Sequence, residues 1–369
     1  MQVAEEISLK LQYLRQTLQE VDVAAVRLRG IDWFAWATAG GSNAVLLAAE
    51  TGVAEVLVTP TDAWILTNEI EAQRLQDEEV SPVLGESLYQ MVVHPWAEGD
   101  RQTQFVAEVT YGGKVLSDRP TDEELPLPNS LRFQRQIFLP SELDRYRQVG
   151  KLASAAITEV LTQAQPDWTE QQLAGVGASA LWQRGLQPAL VLAAGNRRLP
   201  LYRHPLPTAE AIGNQAMLVF CARGHGLIVS LTRFVNFGRL SAQQRQLHRT
   251  IAAVEAVVLD QSQPGTALNQ VYAALAQAYE QQGYPNAIRE HHQGGTAGYG
   301  AREVIATPTS RDRLADHMVV AWNPSIPGAK IEDTFVINGE HGLENLSFDP
   351  QFPHIEIVGR LRPVPLERE

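Results

Sequence analysis

Three short segments in the last third of the chain gather the residue types that proton-transfer chemistry uses. They are His291-His292-Gln293-Gly294-Gly295, Ala321-Trp322-Asn323-Pro324-Ser325 and Ile331-Glu332-Asp333-Thr334. Histidine supplies a base whose ordinary pKa lies near neutrality. A carboxylate such as Glu332 acts as an acid–base group or orients an imidazole, or else belongs to a buried, capped Glu-Asp pair. The two glycines let the backbone pass close to a ligand. Adjacent histidines within a strand point to opposite faces, which sends His292 to a cavity and His291 to the packed side. The alternative is a β-bulge with hydrogen-bonded core histidines. Arg302-Glu303 reads as a salt-bridged pair on a loop, or as a guanidinium that grips a carboxylate bidentately.

The elements that must position these residues follow from periodicity and turn chemistry. Residues 1 to about 130 alternate helical and strand-like patterns, with strands expected at 44–48, 54–60 and 63–67 and a helix over 69–78. Residues 117–129, rich in Pro, Asp and Glu, suit a linker, so the expected domains are 1–130 and 131–369. Ser141-Glu142-Leu143-Asp144 opens a long amphipathic helix with apolar residues at Leu143, Tyr146, Val149, Ala153, Ile157 and Val160. A second helix starts at Thr169-Glu170, and two more are expected over 241–259 and 268–282. Strands are expected at 189–194, 216–221, 226–231, 318–322, 333–338 and 354–358. Paired helices between β-segments, without a glycine-rich phosphate loop, give an α+β class rather than a doubly wound sheet.

Composition narrows the partners. The 369 residues carry 30 Lys plus Arg against 42 Asp plus Glu, a net charge of −12. That excludes the concentrated basic surface a nucleic-acid partner needs. One cysteine, Cys221, excludes an intrachain disulfide and a cysteine zinc cluster. Its apolar neighbours make it an expected core thiol. The first residues lack a basic start and an apolar run, and no apolar segment is long enough to cross a bilayer, so a cytoplasmic location without membrane contact is expected.

The ordered set Thr169-Glu170, Gly224-His225-Gly226, Leu231-Thr232-Arg233, Gly283-Tyr284 and Ile331-Glu332-Asp333-Thr334 resembles the creatinase, aminopeptidase P and prolidase family. The resemblance covers nearly the whole chain. It implies a small α/β N-terminal creatinase-like domain, in which Asp32 to Thr38 holds a first core strand and turn, followed by a C-terminal pita-bread domain. Trp33 and Trp36 are expected in the core. The family's peptidases hold two divalent metals with two aspartates, one histidine and two glutamates. With Thr232-Arg233 as the anchor, those positions fall on Val219, Ser230, His292, Asn323 and Glu332. One carboxylate cannot balance two dications. A metal-free and cofactor-free pocket is therefore expected, with a single weak metal on His292, Glu332, Asn323 and Ser230 as the alternative.

The family also implies other roles. Leu199 to Pro205 lies where it carries a substrate-site histidine after a Gly-Asn pair, here Gly195-Asn196, which makes His204 a candidate or else an exposed turn residue. Tyr299 stands seven residues after His292, at the place of a second family histidine. The reading is a metal-independent hydrolase acting on a C–N bond of a small-molecule or short-peptide substrate. His292 and His204 exchange protons and Glu332 orients them. Arg203, Arg233, His291, Tyr299, Arg302, Asn323 and Ser230 contact the substrate. The alternatives are an inactive relative that binds a peptide or partner in the pocket, and a residual Xaa-Pro peptidase with one weak metal. A homodimer is expected from the resemblance alone.

Overall fold

The computed structural model spans residues 1–369, and the described side chains are all except those of Pro82, Val83 and Glu340. The chain divides into two compact units. One comprises residues 1–135, 139–145 and 225–227; the other comprises 136–138, 146–224 and 228–369. Among the described residues no helix is long and apolar enough to cross a membrane.

In the first unit, helix α1 (Val3–Val21) buries Ile7, Leu11, Leu14 and Leu18, a single stripe at helical spacing. Its buried Lys10 is held by Glu6 at 2.6 Å and Glu142 at 2.8 Å. Strands β1 (Ala25–Gly30), β2 (Thr51–Val58), β3 (Ala63–Asn68), β4 (Gln90–His94), β5 (Val115–Ser117) and β6 (Leu125–Pro126) form one sheet in the order β4-β3-β2-β1-β5-β6. Along β1, Val26 and Leu28 are fully buried. Arg27, on the other face, pairs with Glu55 at 2.6 Å.

Three sequence expectations are corrected here. Asp32 to Thr38 is not a strand: helix α2 (Ile31–Ala37) forms instead and brings Trp33 and Trp36 edge to face at 5.4 Å. Apolar residues at Trp33, Phe34, Trp36 and Ala37 have helical spacing, which the expectation overlooked. Residues 44–48 form no strand, and Val45, Leu46 and Leu47 are exposed. Residues 117–129 are not a simple linker, because β6 lies within them and Glu124 ties Arg27 and Arg29.

The second unit contains helices α3 (Glu170–Trp182), α4 (Ala242–Gln261) and α5 (Leu268–Gln281). The first two carry Thr169 and Ser241 as caps, whose side chains accept hydrogen bonds from Gln172 and Gln244 backbone N–H groups. Strands β7 (Gln187–Gly195), β8 (Gln215–Gly224) and β9 (Leu227–Phe237) pair with a C-terminal strand (Leu366–Arg368) in a four-stranded sheet. The short strand β10 (Gly294–Ala297) lies between Val304–Ile305 and β11 (Val319–Trp322), and β12 (Asp333–Ile337) follows β11 in a second, antiparallel sheet.

These two sheets are joined at a bridge, where the Thr232 backbone N–H donates to the Glu332 carbonyl at 3.0 Å. Beside it, Thr334 Oγ1 exchanges hydrogen bonds of 2.9 Å with the backbone N–H and carbonyl of Ser230. Behind β12 lies a buried charge network. Asp333 accepts from Arg233 and Arg362, each at 2.8 Å, and Arg362 also reaches Glu255 at 2.6 Å. Two guanidiniums against two carboxylates leave no net charge in the interior, which is the condition for burying any of them.

Candidate active site

Glycine makes the approach to the site possible. Gly294 has φ +112°, and a Cβ there would lie 2.2 Å from the Ala321 carbonyl oxygen; at Gly295 it would lie 1.9 Å from that of Val304. These contacts let β10 sit tightly between its neighbours. They also fix the segment just before it. Residues 291–293 are not a strand, so the expected split of the two histidines to opposite faces does not occur. The His291 and His292 rings lie 6.0 Å apart, and His204 lies 5.9 Å from the first and 5.7 Å from the second. Three imidazoles thus share one small region.

His291 Nε2 is 2.6 Å from Ser325 Oγ. The Ser325 backbone N–H donates at 2.8 Å to the Tyr279 hydroxyl, which donates at 2.8 Å to Gln293 Oε1. The Nδ1 atoms of His291 and His292, Arg302 Nε and Asn323 Oδ1 are buried without a hydrogen-bond partner among the described residues. Such orphaned atoms are costly unless something binds there. Burial pushes His291 down to about 3 and His292 down to about 4. The charge of Lys330 adds to the first shift and that of Arg302 to the second. His204 is lowered as well, by burial and then by Lys330.

Glu332 organises the cationic side of the site. Arg302 donates to its Oε1 at 2.9 Å, Lys330 to its Oε2 at 2.8 Å, and Thr232 Oγ1 to the same Oε2 at 2.8 Å. Burial alone would raise this carboxyl, but Lys330 and Arg302 hold it at about 2. Arg302 also donates to Ser230 Oγ at 3.1 Å. The oxygens of Glu332 are therefore committed, and among the described residues none bonds to His292, contrary to the expected orienting role. The expected Arg302–Glu303 pair is likewise replaced. Glu303 Oε1 accepts from the Gly300 backbone N–H at 2.9 Å, while Arg302 turns to Glu332.

The remaining candidates divide. Asn323 sits at the end of β11, its backbone N–H on the Gln293 carbonyl. Arg203 pairs with Glu290 and lines a recess with Tyr202, Ser325 and Lys330. Arg233 belongs instead to the buried network, bonded to Asp333 and to the Ser347 carbonyl. Tyr299 stacks on Phe138 at 6.2 Å in the core. Val219 packs with Leu192, Ala194, Leu199, Met217 and Phe234, an apolar cluster, and its burial contributes about 2 kcal/mol. Cys221 is a buried thiol 3.5 Å from Ser230 Oγ, and burial raises its pKa. Sequence reasoning missed Lys330, although strand alternation from Lys330 to Glu332 would have placed the two on one face.

No group of three or more His, Cys, Asp or Glu side chains among the described residues is arranged to hold a metal ion.

This α+β arrangement, with a pita-bread second unit, is that of the Xaa-Pro peptidases. Residues 144–339 match metallopeptidase family M24, and the chain belongs to that family. In three dimensions it is similar to the Xaa-Pro dipeptidase from Bacillus anthracis (TM-score 0.76, 19% identity, 93% of this chain and 98% of that one). It is also similar to the prolidase from Pyrococcus horikoshii OT3 (TM-score 0.76, 16% identity, 92% and 98%). The N-terminal domain of the FACT complex subunit SPT16 from Cicer arietinum shares the fold as well (TM-score 0.70, 11% identity, 94% and 96%). No curated protein sequence matches the chain.

Proposed function

We propose that this member of family M24 is a hydrolase that works without the two-metal centre of its family, on a C–N bond of a small polar substrate carrying an anionic group. The observation that carries the reading is the pair of side-chain cations, Arg302 and Lys330, on the one carboxylate of the site. A dinuclear centre does not fit these residues. Val219 offers no ligating atom, Ser230 and Asn323 are neutral, and Glu332 is already neutralised by two cations. The local balance of one anion against two cations favours an anionic substrate group. Arg302 keeps Nε for that group, since its Nη1 and Nη2 are on Ser230, the Ala301 carbonyl and Glu332.

In the proposed reaction a neutral His292 takes a proton as water attacks the carbon of the C–N bond. The resulting imidazolium then returns that proton to the leaving nitrogen. His204 and His291 hold the polar part of the substrate, with Asn323 Oδ1 as acceptor and Arg302 Nε as donor. A cytoplasmic homodimer is part of the same proposal.

A second reading is an inactive relative that binds a peptide or partner protein in the same pocket. It is favoured by the imidazoles held at about 3 and about 4, which are weak bases at neutral pH. The test is elemental analysis of protein purified without added metal, joined to a turnover screen of small amides and amidines with and without a chelator. Negligible metal with turnover that is insensitive to chelator and lost in His292→Ala supports the proposal. Bound transition metal near one or two equivalents per chain sinks it. Absence of turnover across the screen, with ligand binding retained, selects the second reading.

A further inference from the structure

Away from this site, helix α4 presents Arg245, His248 and Arg249 to a separate cavity of about 380 Å³. Their spacing, i, i+3 and i+4, puts the three side chains on one helix face. The rest of the lining is mainly apolar and includes Ile355, Val364 and Leu366. That volume falls in the range of roughly 300–1,000 Å³ typical of small-molecule sites, which pair apolar walls with a few placed polar groups.

The polar groups here differ in how far they are committed, and Glu367 itself lines the cavity. Arg249 makes no hydrogen bond or ion pair among the described residues. Arg245 reaches Glu367 only at 3.8 Å, while Glu367 Oε1 accepts from the Leu240 backbone N–H at 2.7 Å. His248 packs edge-on to Phe234 at 4.8 Å, and its Nε2 is buried without a partner. That atom has no contact with solvent and so lies behind the cavity wall, and burial brings the imidazole down to about 4.

We infer that this cavity binds a small organic carboxylate with an apolar body, its carboxylate on Arg249 and its body against Ile355, Val364 and Leu366. Arg245 at the rim adds attraction without a direct bond. An inorganic anion would leave the apolar wall wet, and a neutral hydrocarbon would leave the Arg249 guanidinium without a counter-charge.

The test is calorimetric titration of the full chain with 4-phenylbutyrate and octanoate, and with 4-phenylbutanamide as the uncharged counterpart. Saturable one-site binding of a carboxylate is expected, weakened roughly tenfold or more for the amide and for Arg249→Gln. It is expected to be unchanged in His292→Ala, which reports on the other site. Arg249 is exposed, so its replacement leaves the fold intact, and circular dichroism checks this. No heat from either carboxylate up to about 10 mM, equal binding of the amide, insensitivity to Arg249→Gln, or loss in His292→Ala each overturns the inference.

Discussion

Arg302 and Glu332 face each other across a 2.9 Å ion pair, and the same guanidinium bonds Ser230 Oγ at 3.1 Å. Two strands that would otherwise offer a carboxylate and a hydroxyl to an incoming ligand are thereby linked by a side chain from a loop between them. Lys330 completes the arrangement on the other carboxylate oxygen.

The two sides of this buried set respond unequally to removal, because one carboxylate faces two cations. Glu332→Gln leaves two cations adjacent and is expected to destabilise the fold by about 3–5 kcal/mol. Arg302→Met leaves Lys330 on the carboxylate and is expected to cost less, about 2 kcal/mol. Urea unfolding of the three proteins checks the order; equal stability of Glu332→Gln and the parent would refute it.

The histidine cluster sets a pH response. His291 and His292 fall from 6.5 to about 3 and about 4 on folding, with burial the leading cause. The unfolded chain therefore binds more protons than the folded one below 6.5, and stability drops as pH falls from 6.5 towards 4. Above 6.5 this contribution is complete and flat. The double variant His291→Gln/His292→Gln is expected to show a shallower fall in melting temperature between pH 6.5 and 4.5. An unchanged slope would mean that the two imidazoles titrate normally.

Backbone contacts at β10 predict opposite signs for similar substitutions. Gly295→Ala drives a Cβ to 1.9 Å from the Val304 carbonyl oxygen and is expected to cost about 3 kcal/mol or more. Gly175→Ala lies inside helix α3 with open space around it. It is expected to stabilise by about 0.5–1 kcal/mol, the helix-propensity difference between the two residues. Thermal denaturation of both variants decides whether packing or propensity governs each position.

Asp333 gives a fourth prediction. Asp333→Asn leaves Arg233 without a carboxylate and Arg362 with only Glu255, at an expected cost of about 3–5 kcal/mol. Because Asp333 adjoins Glu332, the variant is also expected to weaken ligand binding at the histidine cluster. Urea unfolding checks the first outcome, and calorimetric titration of the same variant checks the second.

The α+β class and most second-unit elements were legible because periodicity is strong there. The run from Leu143 to Val160 has one apolar stripe, and Thr169 and Ser241 announce helix starts through their capping geometry. The first unit was harder to read. Val45-Leu46-Leu47 looked like a strand by hydropathy, yet the segment stays exposed, and Trp33 and Trp36 carried a helical spacing hidden in a short window. Within the site, His292, His204, Glu332 and Ser230 could be anticipated from the order of motifs. Which charge meets which could not, since Arg302 lies beside Glu303 in sequence and pairs with Glu332 thirty residues on. Lys330 was missed because its hairpin, Ser325–Ile326 against Ala329–Lys330, is short, and only the two-residue alternation to Glu332 pointed to it.

The Asp333 network has a consequence for how such proteins diversify. Arg233, Arg362, Asp333 and Glu255 touch no candidate ligand atom, but they clamp the strand that holds Glu332 in register. Pocket-facing residues can therefore drift while the frame stays locked from behind. A mutational survey confined to the pocket rim would overlook these four positions, although they hold the strand beside Glu332 in place.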